Sequence, residues 1–171
     1  TALAIHFAQN GQQVCLWTRD AEHAAAMRAE RINSGYLKDF PFPDRLAVAD
    51  TPLPKPGLVI IATPTAGLRG SLQTLRQWGW GDIPVLTACK GFEQGSGLLP
   101  HQVAREELPD NPRIGILSGP SFAQELAQQL PCAVTLASDN TAWIEPLAAA
   151  LSSAVLRLYA NDDMVGVGVG G

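Results

Sequence analysis

Three stretches of this chain hold residue types able to do chemistry, and each falls where a strand should end. Val85-Leu86-Thr87-Ala88-Cys89-Lys90-Gly91-Phe92-Glu93 is an apolar and small run closing on a lysine and a glycine. Its lack of polar alternation predicts a strand covered on both faces. Lys90 would then emerge at the strand's carboxyl end, where open α/β sheets place their ligands. Taken alone, it could equally be a solvated cation ending a strand. The second stretch is Trp17-Thr18-Arg19-Asp20. At the end of the second strand of a nucleotide-binding fold, an acidic residue bonds the adenosine ribose, whereas an arginine accepts a 2′-phosphate. Arg19 is therefore a candidate for an NADP-tolerant site, and Asp20 is a candidate helix cap. The third stretch is Leu117-Ser118-Gly119-Pro120-Ser121-Phe122-Ala123-Gln124-Glu125. Ser121 and Gln124 have capping-box spacing, and the backbone donors of that helix start could also bind a phosphate or hydroxyl.

Two other glycine-containing motifs fail on context. Gly166-Val167-Gly168-Val169-Gly170-Gly171 spells the dinucleotide fingerprint, but no strand directly precedes it and no helix follows. Lys90 lacks the preceding glycines and following Ser/Thr of a nucleotide-triphosphate loop. His6, His23 and His101 have no ligand-like spacing, so no metal site is expected. Cys15, Cys89 and Cys132 lie in or beside strand-like runs and read as reduced core thiols of a cytoplasmic protein.

The elements that would position these residues alternate along the chain. Helical periodicity covers Thr1 to Asn10 without an N-cap, and Val14 to Trp17 reads as a strand. Ala21 to Arg31 follows as a helix, then an irregular segment from Asn33 to Pro43 carrying Tyr36, Phe40 and Phe42. Leu46 to Val48 is a short strand. Three prolines between Thr51 and Gly57 enforce a loop. Strands are predicted over Leu58 to Ala62, Val85 to Cys89, Ile114 to Leu117, Ala133 to Ala137 and Val155 to Tyr159. Helices are predicted over Ala66 to Trp78, Leu98 to Leu108, Phe122 to Gln129, and Thr141 to Leu151 with Asp139 as its cap. A further capped helix starts near Asn161 to Val165. Alternation with short connections predicts a doubly wound α/β fold with a parallel sheet.

With 171 residues, 46% hydrophobic and 16% charged, the chain can bury one substantial core and is not disordered. A net charge of −4 supplies no basic field for nucleic acid. No apolar run reaches membrane-spanning length, and no signal segment opens the chain.

In this order, the segments resemble bacterial-type NAD(P)-dependent glycerol-3-phosphate dehydrogenase. The similarity rests on Thr1-Ala2-Leu3-Ala4, Asn10-Gly11, Leu16-Trp17-x-Arg19-Asp20, Tyr36-Leu37, Lys90-Gly91-x-Glu93, Ser118-Gly119-Pro120-Ser121-Phe122-Ala123 and Tyr159-x-Asn161-Asp162. The resemblance implies a Rossmann-like cofactor domain over residues 1–160. Residues 161–171 would begin the connection to a helical substrate domain. It further implies interconversion of dihydroxyacetone phosphate and sn-glycerol 3-phosphate with NADH or NADPH, for glycerophospholipid synthesis, in a cytoplasmic protein that could be a homodimer. Arg19, Tyr36, Lys90 and Ala123 would bind cofactor. Lys90, Gly119 and Ser121 would bind substrate, with Lys90 catalytic through its ammonium beside oxyanion charge.

The family pattern places a first strand and a pyrophosphate loop before Thr1. Beyond Gly171 it places an Ala-x-Lys-Asn segment whose lysine is the general acid/base. This chain also has Gly168 where the family carries a Glu or Gln. The fragment by itself is thus expected to be inactive. A non-catalytic nucleotide-binding module and another β-hydroxyacid dehydrogenase are the alternatives.

Overall fold

The computed structural model describes residues 1–51, 54–119 and 123–170. The chain divides into two compact units. One comprises Thr1–Pro54, Ser121–Cys132 and Ser153–Leu156, and the other Lys55–Pro120, Ala133–Ser152 and Arg157–Gly171.

In the first unit, α1 (Ala2–Gln9) leads to β1 (Val14–Trp17), α2 (Ala21–Glu30) and β2 (Leu46–Ala49). β1 and β2 pair in parallel, Val14 opposite Leu46 and Trp17 opposite Ala49. Ile5, Phe7, Ala24, Met27 and Leu46 are buried there. Asp20 starts α2 because its Oδ1 accepts the His23 amide at 3.0 Å, satisfying a donor that the helix leaves open. Arg31 ends that helix in the left-handed region, at φ 54°. Thr1 makes no side-chain cap for α1, as its sequence predicts, and its hydroxyl instead accepts from Asn33 Nδ2 at 2.7 Å. α5 (Ala123–Ala127) packs on α1.

The second unit carries β3 (Val59–Ile61), α3 (Thr65–Gln77), β4 (Val85–Thr87), α4 (Pro100–Glu107) and β5 (Ile114–Ser118). Its sheet has the order β3-β4-β5-β6-β7, ending in β6 (Cys132–Ala137) and β7 (Leu156–Asn161). The β3-β4 and β4-β5 pairs are parallel. In dinucleotide-binding sheets the first strand sits between the second and the fourth. No described strand of this chain takes that place, and β1-β2 forms its own two-stranded sheet. The α/β class with parallel pairing is as predicted, but β6 runs antiparallel to β5. A parallel return needs a helix crossing the sheet face. The helix between these strands, α5, instead packs on α1.

Leu68, Leu72 and Leu75 form the buried face of α3 and meet Val85, Val103, Ile114 and Ile116 in the core of this unit. Each buried leucine contributes roughly 1.5–3 kcal/mol over an exposed one. Trp78 and Trp80 flank the turn at Gly79 and close on that core edge to face, centroids 5.0 Å apart and planes at 70°. Two expectations need correction. The cap of α6 (Thr141–Leu151) is Asn140, whose Oδ1 accepts the Trp143 amide at 3.2 Å. Asp139 pairs with Arg105 instead. Cys15 is exposed rather than a core thiol, whereas Cys89 and Cys132 are buried and unbridged. The glycine-alternating segment forms α7 (Met164–Gly170), begun by Asp163 Oδ1 on the Gly166 amide at 2.8 Å. It is a helix and not a phosphate loop.

Candidate functional site at the carboxyl edges of the strands

Parallel register brings Lys90 and Gly119 together. Thr87 of β4 lies opposite Ile116 of β5, so residues three further along both strands emerge side by side at the carboxyl edge. There the Lys90 Nζ donates to the Gly119 carbonyl oxygen at 3.2 Å. Lys90 is exposed while Val85, Leu86 and Thr87 beneath it are buried. Gly119 needs its lack of a side chain for close approach. A Cβ there would sit 3.1 Å from the Ala133 carbonyl oxygen and 3.2 Å from the Val134 Cα.

The turn that carries Lys90 is tied down at both ends. Thr65, at the start of α3, donates its hydroxyl to the Lys90 carbonyl at 2.5 Å. One helical turn later Arg69 grips Glu93 in a two-pronged pair, Nε to Oε1 at 2.9 Å and Nη2 to Oε2 at 2.7 Å. Arg69 also reaches Glu107 at 2.7 Å and Glu106 at 2.8 Å. The Arg69 guanidinium, with a bond from Ser96, holds the Glu93 carboxyl down at about 2, and the carboxylates push Arg69 above its ordinary range. Glu93 is thus a fixed anion. Gly91 between these anchors adopts φ 81°, a left-handed conformation suited to glycine.

The first unit gathers a second group. Arg19 lies exposed just past β1, and its guanidinium has no hydrogen-bond partner among the described residues. Tyr36 is 82% exposed and stacks on His23, ring centroids 5.8 Å apart. A cavity of about 380 Å³ is lined by Ser34 to Phe40 together with Ala123 and Gln124. Two of the residues picked out by resemblance, Tyr36 and Ala123, therefore face one pocket although 87 positions separate them (123 − 36). The structure joins Lys90 with Gly119 and Tyr36 with Ala123. Ser121, with its capping-box role, lies outside the described residues.

Sequence reasoning missed Thr65 and Arg69 as contributors, and it offered Gln124 as a capping partner and not as a wall of the pocket. Glu93 was visible in the Lys90-Gly91-x-Glu93 pattern, but its partner lies 24 positions away with no local signature. Among the described residues, no three of His, Cys, Asp and Glu gather as a metal cage. No described helix is long and apolar enough to cross a membrane.

Comparison with known proteins follows the same segments. The family described as NAD-dependent glycerol-3-phosphate dehydrogenase N-terminus matches residues 1–144. A glycerol-3-phosphate dehydrogenase [NAD(P)+] of Neisseria meningitidis is 56% identical over all of this chain and 53% of its own length. That of Thiobacillus denitrificans is 47% identical over all of this chain and 52% of its own. The crystal structure of glycerol-3-phosphate dehydrogenase from Coxiella burnetii superposes with a TM-score of 0.90 at 34% identity, covering 98% of this chain and 52% of that one. The chain thus spans about half the length of these relatives.

Proposed function

This chain belongs to the NAD-dependent glycerol-3-phosphate dehydrogenase N-terminus family, and from that premise we propose that its parent protein interconverts dihydroxyacetone phosphate and sn-glycerol 3-phosphate. The observation that carries this reading is the meeting of Lys90 and Gly119 at one strand edge. The cofactor, NAD or NADP, supplies or accepts the hydride. Residues here suit its adenosine end. Among the described residues the guanidinium of Arg19 has no partner to compete with a 2′-phosphate, and Tyr36 offers an open aromatic face beside Ala123.

In the reductive direction, hydride adds to the carbonyl carbon, the carbonyl pair moves to oxygen, and a proton completes the alcohol. The Lys90 ammonium is a fixed donor for that oxygen as charge builds on it. By the family resemblance, Gly119 and Ser121 would contact substrate and Ala123 the cofactor. The lysine that delivers the proton belongs to the segment expected beyond Gly171. Residues 1–160 act as the cofactor domain of a homodimeric cytoplasmic enzyme serving glycerophospholipid synthesis.

The test uses the full-length protein with dihydroxyacetone phosphate and either reduced cofactor. Turnover is expected, and Lys90→Ala should lower it by about 10²-fold or more with an unchanged melting temperature. Cofactor binding without turnover would instead identify a non-catalytic module. Preference for a small hydroxy acid lacking phosphate would identify a different β-hydroxyacid dehydrogenase.

A further inference from the structure

We propose that Thr65 and Arg69 are positioning residues for Lys90, a two-point clamp by which α3 sets the place of its ammonium; this rests on the reading of Lys90 as catalytic. The two lie at i and i+4 of one helix and so share a face. Thr65 holds the carbonyl of Lys90 itself, and Arg69 holds the carboxylate of Glu93. Only Gly91 and Phe92 lie between the two anchored residues. On the strand side, the Ala88 amide donates to the Ile61 carbonyl oxygen at 2.8 Å. The backbone around Lys90 is therefore fixed before and after it, leaving mainly side-chain torsions free.

Arg69 could also be imagined as a phosphate ligand, and its geometry argues otherwise. Nε, Nη1 and Nη2 are all engaged, by Glu93, Glu107 and Glu106. Three carboxylates around one guanidinium leave no positive charge to offer an anionic substrate. Glu93 cannot serve as a proton donor near neutral pH either, because Arg69 keeps its carboxyl ionised down to about 2. What the cluster can do is hold a turn still. Ser96 adds a third bond to Glu93, at 2.6 Å, and the Glu93 amide donates to the Leu98 carbonyl oxygen at 2.8 Å. The clamp thus reaches across a turn closed on itself, and the element it steadies begins at Lys90.

A displacement of the reacting group by about 1 Å costs on the order of 10²-fold in rate. In the full-length enzyme, Arg69→Met and Thr65→Ala should each lower kcat for dihydroxyacetone phosphate, by about 10²-fold and about 10-fold respectively. Arg69→Lys should restore only part, since an ammonium cannot reproduce the two-pronged pair. The deciding measurement is a double-mutant cycle with Lys90→Ala, read by single-turnover cofactor oxidation. With the ammonium already gone, either clamp substitution should change the rate by less than about twofold. Rate losses that simply multiply would make the cluster a general structural tie and overturn the proposal. If Arg69→Met does not fold, the Thr65→Ala cycle decides alone, as it removes one hydroxyl. Near-normal turnover in Lys90→Ala would overturn the reading of Lys90 and the clamp together. A dead Lys90→Ala with a multiplicative cycle would overturn the clamp only.

Discussion

Arg19 and Glu93 show how differently a charge behaves when it is left open and when it is used up. The Arg19 guanidinium has no partner among the described residues, so a 2′-phosphate would find it uncommitted and lose little by way of competing bonds. In the full-length protein, Arg19→Ala should raise the Kd for NADPH by about tenfold to a hundredfold and leave NADH within about twofold. Equal losses for both would show that Arg19 does not read the phosphate. Glu93 is the committed case. Its carboxyl is held at about 2, against an ordinary value of 4.5, chiefly by Arg69. A carboxyl depressed on folding adds stability above its unfolded pKa and loses it as pH falls through the folded one. The stability advantage of the native protein over Glu93→Gln should therefore be constant above pH 4.5 and shrink between pH 4.5 and about 2. Denaturant titrations at stepped pH would show this, and an advantage that persisted to pH 2 would mean that Arg69 does not hold the charge.

Among the elements, β5 is buried at all five of its residues. A Cβ on Gly115 would stand 2.8 Å from Leu86 Cδ2, 3.0 Å from the Ala137 carbonyl oxygen and 3.3 Å from Trp143 Cζ3. The leucine can turn aside, but the neighbouring strand's backbone oxygen cannot. Gly115→Ala should cost roughly 1–3 kcal/mol and lower the melting temperature by several degrees. A neutral result by calorimetry would show that β5 and β6 can separate without penalty. Element types were legible because local signals agreed. Leu68, Leu72 and Leu75 spell the inner face of α3, and Asp20 caps α2 through its own side chain. What stayed hidden depends on distant partners. The direction of β6 follows from α5 packing on α1, and two adjacent acceptors, Asp139 and Asn140, cannot be ranked as caps until Arg105 engages the first. The Arg69–Glu93 pair is invisible for the same reason, while Lys90 and Gly119 could be placed at strand ends but not side by side.

At the scale of the molecule, the chain is about half as long as its curated relatives. The reaction proposed for the parent needs a pyrophosphate loop and a proton-transfer lysine that the family pattern places outside residues 1–171. Residues 1–171 alone should therefore show no measurable dihydroxyacetone phosphate reduction, against steady turnover by the full-length protein. Activity in the shorter chain would mean that its own side chains supply the proton. Folding of the second unit offers a direct optical handle. Trp78 and Trp80 hold their rings 5.0 Å apart at 70° on the approach to β4. Two identical chromophores fixed at such an angle couple their transitions into a split band of opposite signs in circular dichroism. That signature exists only while the pair is locked against the core beneath Lys90, so its fading on titration with denaturant would time the opening of the site's foundation separately from the melting of the helices.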